Sequence, residues 1–173
     1  MAETLRYSRA VIIVHWLSAL LLAAGFALGL SIDLWPREER PPWLNLHALI
    51  GVTLVALLIV RIIARFVAPP PPAPGSAWAQ RAATVGHWIL YFSIALTAMT
   101  GMRALFVRGR SINFGLFEIP SPFGRVETLI EPATELHEAA AFVLAALVVG
   151  HVAMALYHQV VLRDGLLVRM TLR

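Results

Sequence analysis

The feature that most limits the fold of this chain is a long apolar run near its C-terminal end that carries histidines. No charged residue stands between Glu138 and Arg163, so the run is long enough for a helix that crosses a bilayer. It nevertheless contains His151 and His158, and His137 shortly precedes it. Because a helix turns by about 100° per residue, the three histidines fall on one face. The run therefore predicts a membrane-spanning helix with a stripe of imidazoles.

Polar side chains inside a bilayer are costly and usually face a partner within the protein. A single histidine could meet this need with an interhelical hydrogen bond. Several on one stripe favour haem, because its iron takes imidazole ligands and its flat apolar ring fits between helices. The rise of about 1.5 Å per residue separates His137 from His151 by about 21 Å along the helix axis. That separation suits two haems, one in each leaflet.

The composition of the whole chain is that of a membrane protein. Of its 173 residues, 59% are hydrophobic and 14% are charged, with a mean hydropathy of +0.75. About a quarter of the residues of a soluble domain are charged. The apolar runs predict an all-α protein, a four-helix transmembrane bundle that forms a single domain over residues 1–173, with helices at about 10–32, 45–67, 81–106 and 133–162. The absence of cysteine excludes c-type haem attachment, cysteine-held iron–sulfur clusters and disulfides.

All 14 basic residues are arginines, and they are dispersed between the apolar runs. We therefore expect the lipid bilayer, and no nucleic acid, as a partner. With both termini on one side, that side carries a small excess of arginines, which predicts that both termini are cytoplasmic. Gly25 and Gly29 form a pair of small residues suited to close helix packing, and such residues would also allow a homodimer.

Three connections join the predicted helices. Trp35 and Trp43 in the first connection fit anchors at the membrane interface. The proline-rich link at 68–80 predicts a stiff spacer, with a PxxP ligand for a signalling domain as the alternative. The long connection at 107–132 is rich in apolar residues and predicts a partial lid over the bundle, and Pro132 would open the fourth helix.

Because four spans alternate in direction, each histidine can be given a depth. His47 and His137 each lie near the start of a helix in the outer leaflet, so they form the natural axial pair for an outer haem. Gly51, one turn after His47, would let a porphyrin approach the backbone, or would serve ordinary helix packing. Arg61 and Arg65, toward the far end of that helix, could reach lipid headgroups or haem propionates.

The cytoplasmic half holds His15, His87, His151 and His158. We pair His15 with His151 for the inner haem, and a pair of His15 with His158 or with His87 remains an alternative. The two remaining histidines, His87 and His158, could hydrogen-bond and protonate a quinone carbonyl, since histidine titrates near neutral pH. Alternatively, both reach toward the interface at helix ends.

The histidine motifs together resemble the prokaryotic cytochrome b561 family, and within it the small four-helix di-haem proteins described as superoxide oxidases. The matching segments are V-H-W (14–16), N-L-H-A-L-I-G (45–51), V-G-H-W (85–88), L-H-E (136–138) and G-H-V-A-M-A-L-Y-H (150–158). The resemblance implies a multi-pass protein of the bacterial inner membrane with two haem b groups. It implies His15 and His151 as ligands of one haem and His47 and His137 as ligands of the other. It also implies a quinone site near the cytoplasmic face, close to His87 and His158.

The activity that the resemblance implies is that of a superoxide:ubiquinone oxidoreductase, which oxidises superoxide at the periplasmic face and reduces ubiquinone near the cytoplasmic face. Arg103, Arg108 and Arg110 could draw the anion in, or could be ordinary surface charge. Three alternatives remain. They are a quinol-oxidising cytochrome b that feeds a periplasmic redox partner, a membrane anchor subunit of a larger dehydrogenase, and a haem-free transporter whose histidines bind zinc.

Overall fold

Four long helices form a bundle in the computed structural model, which describes residues 6–67, 71 and 75–172. The helices are α1 (Arg9–Ser31), α2 (Arg40–Val67), α3 (Ala77–Phe106) and α4 (Glu127–Tyr157). All four are long and apolar enough to cross a membrane. Helix α3 packs most extensively on α4, α1 packs on α2, and α2 also contacts α3. The predicted all-α four-helix transmembrane bundle is confirmed, and the cytoplasmic location of the termini stays a prediction.

The outer surface of the bundle is apolar along most of its length. Phe66 is 71% exposed, Phe92 68% and Val149 69%, although each belongs to one of the long helices. Buried side chains are a minority among the described residues, and Ala104, Val107 and Ala133 form a buried contact between the end of α3 and α4. Exposed apolar side chains on every helix are what a lipid environment requires.

Helix α2 begins at Arg40 rather than near Asn45, because its two early prolines lie inside the first turn instead of before the helix. The first N–H groups of a helix have no intrahelical partner, so Pro41 and Pro42 cost no hydrogen bond there. The Arg40 side chain closes the preceding turn through Asp33 Oδ1 at 2.7 Å and the Trp35 carbonyl at 2.9 Å.

Helix α3 also begins earlier than expected, at Ala77 rather than near Arg81. Ser76 is the N-cap residue of α3, because its Oγ accepts a hydrogen bond from the Ala79 N–H at 3.3 Å. The proline-rich stretch that precedes Gly75, including the predicted PxxP segment, lies outside the described residues except for Pro71.

Helix α4 starts at Glu127, so the expectation that Pro132 opens it is wrong: Pro132 lies inside the helix. The segment ahead of Pro132 is helical because it is held to α3. Val126 N–H donates to the Val107 carbonyl at 2.9 Å, and the next residue, Glu127, begins the helix. The proline leaves the carbonyl one turn earlier without its helical donor, a cost that packing of the adjacent, almost fully buried Ala133 offsets.

The long connection between α3 and α4 contains a small antiparallel hairpin of β1 (Ile112–Asn113) and β2 (Glu118–Ile119). Asn45 fastens it to α2: its Nδ2 donates to the Asn113 carbonyl at 2.9 Å and its Oδ1 accepts from the Asn113 N–H at 2.8 Å. Ile112 is 1% exposed, whereas Leu116 at the tip is 98% exposed. The hairpin thus lies against the helix ends at its base and projects outward at its tip.

The C-terminal end of α4 widens into a π-helical turn at His158–Leu162, and Arg163 then adopts a left-handed conformation with φ 53°. The following tail folds back to α1. Its carbonyl at Met170 accepts from Trp16 Nε1 at 2.8 Å. This end of the bundle also holds His15, one residue before Trp16 in the sequence.

Candidate functional site

The outer pair consists of His47 from α2 and His137 from α4. Their ring centroids are 5.9 Å apart, and the ring planes are inclined by 80°. Both side chains are half-buried between helices. The structure therefore brings together the two histidines predicted for the outer haem, and no other histidine ring contacts them among the described residues.

Two glycines of the remaining helices make room for these rings. A Cβ built on Gly101 of α3 would stand 2.8 Å from Cε1 of His137, and one on Gly29 of α1 would stand 3.2 Å from Cε1 of His47. A Cβ on Gly51, by contrast, would meet nothing within 4 Å. The residue that crowds His137 is thus one that local sequence patterns did not indicate, and Gly51 borders open space.

A hydrogen bond orients the His137 ring of the outer pair. Nδ1 of His137 donates to the Thr97 carbonyl at 3.1 Å, which leaves Nε2 with its lone pair. Nδ1 of His47 is buried, and the Gly25 carbonyl faces it without completing a hydrogen bond. An imidazole with one nitrogen fixed by a backbone carbonyl and the other free is the usual state of a histidine that binds iron.

The inner cluster contains three histidine rings, from α1, α3 and α4. The ring of His151 lies 6.3 Å from that of His15 and 5.7 Å from that of His87, measured between centroids. The predicted inner pair of His15 and His151 is therefore in contact, and His87 joins it from the third helix. His158, the remaining histidine, lies beyond this cluster, where its ring contacts Tyr157.

The three rings differ in their hydrogen bonds. Nδ1 of His87 donates to the Ala83 carbonyl at 2.6 Å, which leaves Nε2 free, as in His137. Nδ1 of His15 lies 2.9 Å from the guanidinium of Arg61, and because arginine only donates, this nitrogen accepts. Binding of iron through Nε2 of His15 would thus require Arg61 to release Nδ1.

Arginines of α2 turn toward the inner cluster instead of away from it. The guanidinium of Arg61 lies 5.6 Å from the centroid of the Tyr91 ring, and that of Arg65 lies 5.9 Å from the Trp88 ring. These contacts hold two positive charges beside the inner histidines. The contacts are compatible with both predicted roles of Arg61 and Arg65, which are contact with a haem propionate and contact with a lipid headgroup.

The outer end also carries the arginines predicted to draw in an anion. Arg103 is exposed, whereas the Arg108 guanidinium is half-buried and donates to the Ala104 carbonyl at 2.8 Å and to Thr134 Oγ1 at 2.6 Å. Burial lowers the pKa of Arg108, and the nearby charges of Arg110 and Arg125 lower it further. Arg108 thus has a structural role in joining α3 to α4, and it contributes its charge from a fixed position.

The chemistry of the donor set suits haem. Paired imidazoles from separate helices, a buried nitrogen without a completed hydrogen bond and glycines that clear space beside the rings are together what a haem-iron site between helices requires. No three His, Cys, Asp or Glu side chains converge as an ordinary metal-ion site within residues 6–67 and 75–172. Iron in a porphyrin needs only two protein ligands.

Membrane helices whose histidines meet in pairs define a class of protein, the b-type membrane cytochromes. The chain belongs to the prokaryotic cytochrome b561 family, whose model matches residues 6–172. Membership in this family makes the chain a membrane electron-transfer protein and implies that it binds haem b. Its four apolar helices fit a multi-pass protein of a bacterial membrane.

Similar proteins support the family over nearly the full length. Cytochrome b561 homolog 2 of Escherichia coli (strain K12) is 33% identical over 165 residues, which cover 90% of this chain and 86% of that protein. Cytochrome b561 homolog 1 of the same organism is 27% identical, with 95% and 96% covered. A probable superoxide oxidase, CybB, of Yersinia pestis is 31% identical in an alignment of 175 positions that covers 95% of each chain.

Proposed function

We propose that this protein is a di-haem cytochrome of the bacterial inner membrane that oxidises superoxide at its outer end and reduces ubiquinone at its inner end. The observation that carries the proposal is the presence of two separate histidine clusters that each include a histidine of α4. His137 and His151 both belong to α4, so about 21 Å of helix separates the two clusters. One electron-transfer centre in each leaflet fits this spacing.

His47 and His137 would hold the outer haem, and His15 and His151 the inner one. Haem, when bound, supplies the one-electron chemistry, and the protein supplies its binding, its orientation and the charges around it. Thr97 holds His137 in the tautomer that binds iron, and Gly101 leaves the ring its space. Arg61 places a positive charge beside the inner pair, which favours the reduced state there.

Two groups of side chains support the proposed substrates. At the outer end, Arg103, Arg108 and Arg110 present positive charge to an anion such as superoxide, an attraction that weakens with salt. At the inner end, His87 and His158 offer imidazoles to a quinone carbonyl. A relative described as a probable superoxide oxidase supports the same reaction.

A visible spectrum of the detergent-extracted protein is the first test. We expect a Soret band, a reduced b-type α band and two haems per chain. Colourless protein would favour the zinc-transporter alternative, and one haem per chain at full loading would contradict the di-haem proposal.

The second test is stopped-flow mixing of the purified protein with superoxide. We expect haem reduction well above the background rate, followed by transfer to added ubiquinone-1. Protein that is loaded with two haems but is not reduced by superoxide would contradict the superoxide proposal and leave the cytochrome assignment intact.

One observation favours a second candidate function, electron exchange with a protein partner. The hairpin tip exposes Leu116 at 98% and Phe117 at 61%, and the neighbouring Phe123 is 55% exposed. Contiguous exposed apolar side chains mark interaction sites, and the Phe114 and Phe117 rings stack at this tip with centroids 4.7 Å apart. A quinol-oxidising cytochrome or an anchor subunit would use such a surface, and isolation as a stable, lone protein that reacts with superoxide would count against both.

A further inference from the structure

His158, at the inner end of the bundle, has a carboxylate partner, Asp164, to which the proposed function assigns no role. Nδ1 of His158 lies 2.5 Å from Oδ2 of Asp164. Both side chains are largely buried, with 20% and 22% of their surfaces exposed. A contact this short between a ring nitrogen and a carboxyl oxygen requires a hydrogen between them, and because the pKa of Asp164 is lowered, its oxygen accepts and Nδ1 carries the proton.

The pair exists because α4 does not end as a regular helix. Residues six positions apart on an α-helix differ by about 240° in direction and about 9 Å along the axis, so their side chains do not meet. The π-helical turn at His158–Leu162 and the left-handed Arg163 reverse the chain, and the Asp164 N–H reaches the His158 carbonyl at 3.4 Å. Non-Gly residues in the left-handed region are uncommon, and π-turns often occur at functional sites.

The carboxylate is fixed at both oxygens. Its Oδ1 accepts from the Leu166 N–H at 3.1 Å, while Oδ2 holds His158. Burial raises the pKa of Asp164, but the hydrogen bonds from His158 and Leu166 outweigh this and leave the pKa lowered. Among the described residues, the charge of Arg169 also acts on Asp164, and Tyr157 lies beside the His158 ring.

We propose that Asp164 is the positioning residue of the quinone site: its carboxylate holds Nδ1–H of His158 and directs Nε2 of that ring to the quinone carbonyl. This inference rests on the proposed reduction of ubiquinone. With Nδ1 committed to Asp164, Nε2 is the one ring nitrogen left for a ligand. When Nε2 carries a proton, it can donate a hydrogen bond to the quinone carbonyl.

His158 and cytoplasmic water supply the two protons that quinone reduction needs. Reduction of ubiquinone to ubiquinol takes two electrons, which the proposed electron transfer supplies, and two protons. Nε2–H of His158 gives one proton to a quinone oxygen and regains it from cytoplasmic water, and the second proton comes from the same water. Asp164 stays a carboxylate throughout and keeps the ring oriented between turnovers.

The position of the tail does not depend on the Asp164 carboxylate alone. Trp16 Nε1 donates to the Met170 carbonyl, and Tyr7 N–H donates to the Arg169 carbonyl at 3.4 Å. The Asp164→Asn variant also keeps an oxygen for the Leu166 N–H. Loss of the carboxylate charge can therefore be tested with the tail in place.

The test uses haem-loaded protein, reduced anaerobically with stoichiometric dithionite and mixed with ubiquinone-1 across a range of pH. We expect Asp164→Asn to bind both haems and to be reoxidised about tenfold more slowly than the wild type at neutral pH. Asp164→Glu should recover part of the rate. Asp33→Asn is the matched control, because Asp33 pairs with Arg40 in the connection between α1 and α2, far from the C-terminal turn.

A double variant separates positioning from a general structural effect. If Asp164 acts through His158, His158→Ala with Asp164→Asn is no slower than His158→Ala alone. Additive losses, or an Asp164→Asn protein that matches the wild type at every pH, overturn the positioning role. Reduced wild-type haems that ubiquinone-1 does not reoxidise would overturn the proposed quinone reduction as well, so the two failures are distinct.

Discussion

The outer and inner histidine clusters differ in the number of their rings and in the groups that contact those rings. The outer pair has two rings, and glycines of the other two helices clear space beside both. The inner cluster has three rings, with a guanidinium on His15 and a backbone carbonyl on His87. The outer cluster therefore fits a site dedicated to one cofactor. The inner cluster fits a site whose histidines serve a cofactor and a substrate together.

The largest expected effect tests whether the two clusters are independent. Either His47→Ala or His137→Ala should remove one haem of two, because each deletes a proposed ligand of the outer haem. The measurement is haem content per chain, by a pyridine haemochrome assay, together with the reduced α band. His151→Ala should likewise remove only the inner haem.

Two results would contradict this division. If His137→Ala abolished both haems, the clusters would not be separate sites. If His151→Ala retained two haems, the inner pair would be assigned to the wrong residue.

The next prediction resolves which ring is the partner of His151. His15→Ala should lose the inner haem, whereas His87→Ala should keep both haems and slow the reoxidation of reduced protein by ubiquinone-1. The two variants are matched controls for each other, since each removes one of the two rings that touch His151. The reverse outcome would show that His87, whose Nε2 is already free, is the ligand.

Helical periodicity and depth were enough to predict that the two histidines of the outer pair lie together. His47 and His137 both lie near helix starts at the same end, and their rings do meet. The same counting placed His87 at the inner end but could not show that it touches His151, because lateral neighbours depend on how helices pack. The early helix starts at Arg40 and Glu127 were missed for a related reason, since prolines near a helix start do not mark its first residue.

Other parts of the site depend on contacts that no local pattern records. Gly101 is one of several helical glycines, and only the approach of His137 from α4 distinguishes it. The partnership of Asp164 with His158 requires a π-turn and a left-handed Arg163, neither of which a helical pattern predicts. Sequence reasoning thus predicted which histidine rings lie together better than it predicted the residues that contact them.

Gly101→Ala at the outer site should have a smaller effect on haem binding than the histidine variants. A Cβ at this position would overlap the His137 ring, and overpacking of this kind costs about 1–3 kcal/mol. We expect outer haem to be retained roughly tenfold less tightly or worse, measured by transfer to apomyoglobin. Gly86→Ala, on the same helix with nothing within 4 Å of its Cβ, is the matched control and should retain both haems. Equal retention in the two variants would show that the His137 ring can move aside freely.

The smallest expected effect tests whether charge distinguishes the inner cluster. Arg61→Gln removes a cation from beside the inner cluster, where Arg61 also lies against the Tyr91 ring and so stays close after it releases Nδ1 of His15, and a nearby cation favours the reduced, less positive iron. We therefore expect the midpoint potential of the inner haem to fall by about 60 mV, equivalent to a tenfold change in the one-electron equilibrium. The outer potential should not change, and Arg61→Lys should keep most of the inner value. Arg37→Gln, at an exposed position between α1 and α2, is the control for a general loss of positive charge. A redox titration in which both potentials fell together would mean that Arg61 acts on the whole bundle, and the electrostatic difference between the clusters would have to come from elsewhere.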